Sequence, residues 1–243
     1  MVSCLLWDAG QDTILSYRCV SRKMPNSPKL DYRPFYSRHL PHYQPPGAML
    51  FLTTRLVGSL PRETIMRLLG EAEQSDLLLA RITDSRARAE RAYLEQRRLF
   101  GEWDAELYLD KQGPFWLGDA RIAELVAGSL HHRDGQVYRL VAFCIMPNHL
   151  HLVIVPLPTE DGAFHSLSAI MHSLKRYTAR QANLLLGREG AFWQAESYDH
   201  VVRDEAEARR IIEYVLNNPV KAGFVQGWED WPWSYVGQDA ILS

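Results

Sequence analysis

The sequence predicts an α+β fold, and three observations carry that reading. Two β-rich runs, VYRLVAFCIMP from Val137 and HLHLVIVPL from His149, are separated by Pro147-Asn148 and read as adjacent antiparallel strands meeting at a sharp corner. A third run, AMLFLTTRLV, has the same β-branched and aromatic character over about 48–57. Around these lie stretches whose apolar residues recur at helical spacing. With 243 residues, 47% hydrophobic and 23% charged, the chain can bury one large or two small cores, which excludes disorder as its main state.

Taken in order, residues 1–40 carry Pro25, Pro28 and Pro34 among polar and basic residues without a lasting period, and they read as irregular. Pro45-Pro46-Gly47 punctuates the chain before the first strand. Ser59, followed by Pro61 and Glu63, predicts a helix start, because a hydroxyl satisfies orphan amides and a first-turn acid suits the helix dipole. Ile65, Leu68, Leu69, Leu77, Leu78 and Ile82 continue it. A charge-laced helical stretch follows over about 84–107 and another over 119–131, both read as amphipathic scaffold.

Beyond the paired strands and a turn-like PTEDG, residues 165–186 recover helical spacing through Leu167, Ile170, Met171, Leu174, Tyr177 and Ala182, with Gly187 and Gly190 ending the helix. A last helix starts at Asp204, a good N-cap with Glu205 and Glu207 in its first turn. It runs through Ile211, Ile212, Val215 and Leu216 to Asn218-Pro219.

A formal charge of −2 is unremarkable until it is divided along the chain. Residues 13–62 hold eight Lys/Arg against the single acid Asp31, and residues 162–188 hold Lys175, Arg176, Arg180 and Arg188 with no acid. Residues 68–134 reverse the balance, with nine bases against thirteen acids. Two basic segments in an acidic frame suit a polyanionic partner better than the net charge suggests. No apolar run reaches the roughly 18–20 residues of a membrane helix. The first twenty residues contain Asp8 and Asp12 and lack a signal-peptide pattern, and the three cysteines form no CxxC pair. A cytoplasmic protein without membrane partners is the expectation.

The chemistry concentrates at His149-Leu150-His151. On a strand, side chains two apart share a face, so the two imidazoles stand together while Leu150 enters the core. By itself HxH also fits packing or surface histidines. An HxHxDH zinc hydrolase would need Asp and His at positions occupied by Val153 and Ile154. Tyr214 and Asn218 lie four residues apart, about 6 Å along a helix and on one face. Brought to the histidines, they would add a nucleophile and an oxygen ligand for a hard cation such as Mg²⁺ or Mn²⁺. The plainer alternative is a half-buried aromatic and a turn residue before proline.

PNHLH, SLKRYTARQAN, FWQAESYDHVVRD, EYVLNNPVKAG and WPWSY occur in the order seen in the REP-associated tyrosine transposases, a branch of the single-tyrosine HUH transposases. The chain resembles that family over roughly residues 38–236, including PHYQPPGAMLFLTTRLVGSLP upstream. The resemblance implies a ferredoxin-like antiparallel sheet with helices packed on one side, and a catalytic domain over 38–243. To this are added a helical elaboration at about 64–112 and an irregular basic N-terminal arm, 1–37. It further implies that His149 and His151 hold the metal, that Tyr214 is the nucleophile and that Asn218 is the third ligand, with Asn217 the competing position.

The activity so implied is a metal-dependent, Mg²⁺- or Mn²⁺-using transesterification on single-stranded DNA near hairpins of REP-like palindromes, through a 5′-phosphotyrosine intermediate. Lys175, Arg176, Arg180, Arg188, Arg55 and Arg38 are the expected DNA contacts, with Tyr177 packing or facing DNA beside them. A hairpin binder that does not cut and a water-using metal phosphodiesterase are the alternatives.

Overall fold

The computed structural model describes residues 35–37, 41–43, 45–109, 113–238 and 240. The described residues divide into two compact units, one containing residues 61–109 and the other containing the rest. In chain order the strands are β1 Phe35–Ser37, β2 Pro41–Tyr43, β3 Leu50–Arg55, β4 Tyr138–Ile145, β5 His149–Pro156, β6 Tyr198–Val201 and β7 Ser234–Val236. The helices are α1 Arg62–Ala80, α2 Ser85–Leu109, α3 Ala120–Arg133, α4 Leu167–Leu186, α5 Glu205–Leu216 and the single turn α6 Asn218–Lys221. Among them, no helix is long and apolar enough to cross a membrane.

The smaller unit is α1 and α2 packed along one another. Asp84 starts α2 by accepting the Ala87 N–H at 2.7 Å. Arg67 of α1 reaches across to Glu106 of α2 at 2.5 Å, while Arg67–Glu71 at 2.8 Å and Arg98–Glu102 at 2.6 Å are pairs within one helix. Exposed pairs of this kind contribute about 0–1 kcal/mol each. The N-terminus of α1 departs from the sequence reading, because Pro61 precedes it without a side-chain cap. The Ser59 hydroxyl is buried and accepts from Arg55 Nη1 at 3.3 Å instead.

The larger unit is built on a five-stranded antiparallel sheet in the order β6-β3-β5-β4-β7. Counting β3, β4, β5 and β6 as first to fourth, this is the 4-1-3-2 order of a ferredoxin-like βαββαβ unit, with α3 and α4 as its two helices and β7 added at one edge. Leu50, Leu52, Leu150, Leu152 and Ile154 point to one side, into an apolar core shared with Ile122, Val126 and Leu130 of α3 and Leu167, Ile170 and Leu174 of α4. Those two helices therefore share one face, as expected. Phe51, Thr53, His149, His151 and Val153 face the other way, where α5 covers the sheet.

A bulge in β4 matters for this sidedness. Register with β5 shifts between Leu140 and Ala142, so Val141 is the extra residue. Past it the alternation inverts: Phe143 and Ile145 join the α3/α4 core, while Ala142 and Cys144 fall on the histidine side. The turn between β4 and β5 is closed by Met146 N–H to His149 O at 2.8 Å.

Helix ends follow the local chemistry. Asp119, Ser166 and Asp204 each accept an amide at the starts of α3, α4 and α5, and Gly187 ends α4 in the left-handed region at φ 61°. Two features escape the sequence reading. Phe35–Ser37, within the stretch expected to be irregular, pairs with Pro41–Tyr43, in strands too short to leave a period. Strands β6 and β7, four and three residues long, exist through their pairing with β3 and β4.

Leu152 sits in the centre of β5 and of the core. Leu152→Ala is expected to lower unfolding free energy by about 2–5 kcal/mol in denaturant titration, since the strand is held on both sides and the cavity cannot collapse.

Candidate active site

Strand β5 carries both histidines on the face opposite Leu150, and His149 and His151 are almost completely buried. Their rings meet edge to face, centroids 4.6 Å apart, with the two Nε2 atoms 3.1 Å from each other. Each ring is oriented from behind. His149 Nδ1 lies 2.7 Å from Asn148 Oδ1, and His151 Nδ1 lies 2.8 Å from Thr53 Oγ1, its ladder partner on β3. With Nδ1–H donating to these oxygens, both Nε2 lone pairs turn toward a common point.

Asn218 brings the third donor. Its Nδ2–H₂ donates to Tyr214 O at 2.8 Å, which turns Oδ1 toward His151 Nε2 at 3.1 Å. Asn218 is fully buried, whereas Asn217 is exposed and donates its amide to Glu213 O. Two imidazole nitrogens and an amide oxygen, all acceptors, converge where a cation would satisfy them together. The 3.1 Å contacts from His151 Nε2 to His149 Nε2 and to Asn218 Oδ1 are short enough for one divalent cation to be shared among these atoms. Cys144, the ladder partner of His151, is a buried thiol whose pKa burial pushes up to about 12.

Tyr214 stands half-buried in the last turn of α5, its ring centroid 5.5 Å from that of His151 and 6.1 Å from that of Phe51, edge to face with both. Lys221 Nζ lies 4.3 Å from the centre of the Tyr214 ring. The start of α5 is tied to the sheet. Asp204 accepts Glu207 N–H, Glu207 accepts Arg203 N–H, and the same carboxylate lies 3.1 Å from buried His200 Nε2 on β6. The helix that carries Tyr214 is thus registered against a strand.

The basic residues divide into two groups. Arg176 and Arg180 are exposed on α4, next to Tyr177, whose half-exposed ring lies 5.8 Å from the Arg133 guanidinium. Lys175 donates to Gln194 O and Ala195 O at 2.8 and 3.1 Å. Arg188 lies 3.8 Å over Trp116 and bonds Asn183 Oδ1 and Ala191 O. Arg55 is the ladder partner of His149 and shares its face, with burial pushing its pKa down to about 10, so it keeps its charge at neutral pH. Arg38 lies outside the described residues.

Sequence reading missed Thr53, Phe51 and Lys221. The first two become neighbours of the site only through β-sheet register, for which spacing carries no signal. Lys221 was readable in NPVKAG as a cation one turn past Asn218.

Residues 121–218 match the family model described as Transposase IS200 like. This chain is similar to the REP-associated tyrosine transposases. The matched segment contains His149, His151, Tyr214 and Asn218. The REP-associated tyrosine transposase of Escherichia coli strain K12 is 28% identical over 102 residues, 42% of this chain and 56% of that protein. A Haemophilus influenzae strain Rd protein, provisionally named a REP-associated tyrosine transposase, is 28% identical over 107 residues, 42% of this chain and 61% of that protein. The chain spans little more than half the length of these relatives. A solved structure titled as a REP-associated tyrosine transposase bound to a REP hairpin aligns with 82% of this chain and 80% of its own, at 18% identity and a TM-score of 0.46.

His149→Ala or His151→Ala is expected to abolish Mn²⁺ binding in calorimetry. Thr53→Val, which removes the group behind His151, should weaken it by roughly 10- to 100-fold.

Proposed function

We propose that this protein is a metal-dependent single-stranded DNA transesterase that nicks and rejoins DNA beside palindromic hairpins through a 5′-phosphotyrosine intermediate. The observation that carries this reading is the convergence of His149 Nε2, His151 Nε2 and Asn218 Oδ1 beside the Tyr214 ring. A water-using phosphodiesterase has no need of a phenol held there.

Tyr214 supplies the nucleophile. Its oxygen forms a bond to the scissile phosphorus, the bond from phosphorus to the 3′-oxygen breaks, and the proton lost by the phenol ends on that 3′-oxygen. No water is consumed, and the phosphodiester energy is kept in the tyrosine link, so a 3′-OH can reverse the step and join strands. A phenol with an ordinary pKa near 10 is a weak nucleophile at neutral pH and needs positive charge nearby. Mg²⁺ or Mn²⁺ held by His149, His151 and Asn218 would supply Lewis-acid polarisation of the phosphate there. Lys221 against the Tyr214 ring and Arg55 beside His149 add fixed cations to the same side of the sheet.

Arg176 and Arg180, exposed on α4, are the residues of the basic segment placed to track DNA phosphates. The REP hairpin bound by the structural neighbour makes hairpin-forming DNA the natural first substrate to test. A cytoplasmic location goes with this reading.

The test is a denaturing gel with a single-stranded hairpin oligonucleotide and Mn²⁺. Wild type should yield a covalent protein–DNA adduct, whereas free cleaved ends would indicate a hydrolase and uncut, gel-shifted DNA a binder. Tyr214→Phe should lose the adduct and keep hairpin binding, and EDTA should have the same effect. An adduct surviving in the Phe variant would move the nucleophile to Tyr177 or Tyr198.

Salt titration tests the DNA path. Replacing Arg176 and Arg180 with Ala should lower the log–log slope of affinity against salt by roughly 1.4–1.8, two contacts at about 0.7–0.9 each. An unchanged slope would place the DNA elsewhere.

A further inference from the structure

The segment after Asn218 contains an aromatic pair that the proposed cleavage chemistry does not use. Gly223, at φ +74°, reverses the chain after α6, and Phe224 N–H donates to Pro219 O at 2.9 Å, bringing Phe224 back against the start of that turn. The Phe224 ring lies nearly parallel to Trp231, with centroids 5.3 Å apart and planes at 15°. Trp231 is itself anchored: its indole Nε1–H donates to Ile145 O at 3.0 Å, at the end of β4.

The lower ring of the stack is therefore tied to the sheet, while the upper one is 50% exposed. Burying both rings would have been the ordinary use of such a pair, since each aromatic side chain left in water forfeits burial energy. Three residues before Phe224 stands Lys221, whose ammonium reaches the Tyr214 ring. The Phe224 backbone is thus bonded to Pro219, next in the chain to Asn218, on the segment that also sends Lys221 to the proposed nucleophile.

We propose that Phe224, supported by Trp231, is a stacking platform for one unpaired nucleobase flanking the scissile phosphate, an inference that rests on the single-stranded DNA reading above. The local charges favour a base over a phosphate as occupant. Glu229 and Asp230, both exposed in the turn leading into Trp231, repel the backbone, while Lys221 meets it on the Tyr214 side. A base has a π-face whatever its identity, so the platform holds the strand in place for attack without reading sequence. Phe224 contacts the substrate strand and takes no proton or bond.

The experiment uses the full chain and a hairpin oligonucleotide whose thymidine flank carries one 2-aminopurine, moved position by position. Wild type and Phe224→Trp should quench the fluorophore at one flank position, as stacking does. Phe224→Leu, which keeps the apolar bulk but loses the π-face, and Phe224→Ala should abolish the quenching and weaken binding by roughly 5- to 100-fold. Their salt slope should stay unchanged, because no ionic contact is lost, and their thermal midpoints should stay near wild type. A Phe224→Leu variant that binds and quenches like wild type overturns the platform while leaving the transesterase reading intact. A wild type that neither binds nor cleaves the single strand overturns both.

Discussion

The middle strand of the sheet, β5, is covered on both faces, and the rest of the larger unit is arranged around that condition. One face sends Leu150, Leu152 and Ile154 into the α3/α4 core, while the other holds His149 and His151 under α5. Burying two imidazoles costs free energy unless their nitrogens are partnered. Asn148 and Thr53 provide those partners at the Nδ1 atoms, leaving the Nε2 atoms as a pair of acceptors in a low-dielectric position. Electrostatic interactions made there are stronger than in water, which is where a cation and a phosphate profit most. Stability and the proposed chemistry thus share one strand, and a change in its register would move every one of these side chains to the wrong face.

Helix α5 answers that strand. Its first turn is held by Asp204, which accepts the Glu207 N–H, by Glu207, which accepts the Arg203 N–H, and by His200 on β6, and its carbonyl end lies at the site. The partial negative charge of a helix C-terminus favours a bound cation there. Asn218 links the two proposed roles directly, since its amide is held by the Tyr214 carbonyl while its oxygen faces His151. A shift of Tyr214 would therefore carry the oxygen donor with it. Such coupling holds the proposed nucleophile and the proposed metal ligand at one spacing.

Charge counting in the sequence overstated what is available to a polyanion. Of the four cations in 162–188, Lys175 is used on backbone carbonyls and Arg188 is laid over Trp116, so both serve the fold of the segment around 188–195. Arg176 and Arg180 project outward. A cation's position in a linear count does not reveal whether it meets a carbonyl, a ring or solvent. Only packing separates these.

Much of the fold was legible because its signals are local. The two central strands, the helices α1 to α5 and the cap at Asp204 follow from residue type and period, and PNHLH with NPVKAG carried the family resemblance. Short β6 and β7 were not legible, because three or four residues carry no period and form only against a partner. By itself the sequence determined that His149 and His151 share a face and that Asn218 follows Tyr214 by one turn, because strand and helix periods are properties of the backbone. The tertiary structure decided that Thr53 stands behind His151, that the Val141 bulge inverts the faces of β4, and that Asn218 rather than Asn217 meets the histidines. Each of those depends on register or on a helix's rotation against the sheet, set by contacts between residues far apart in the chain.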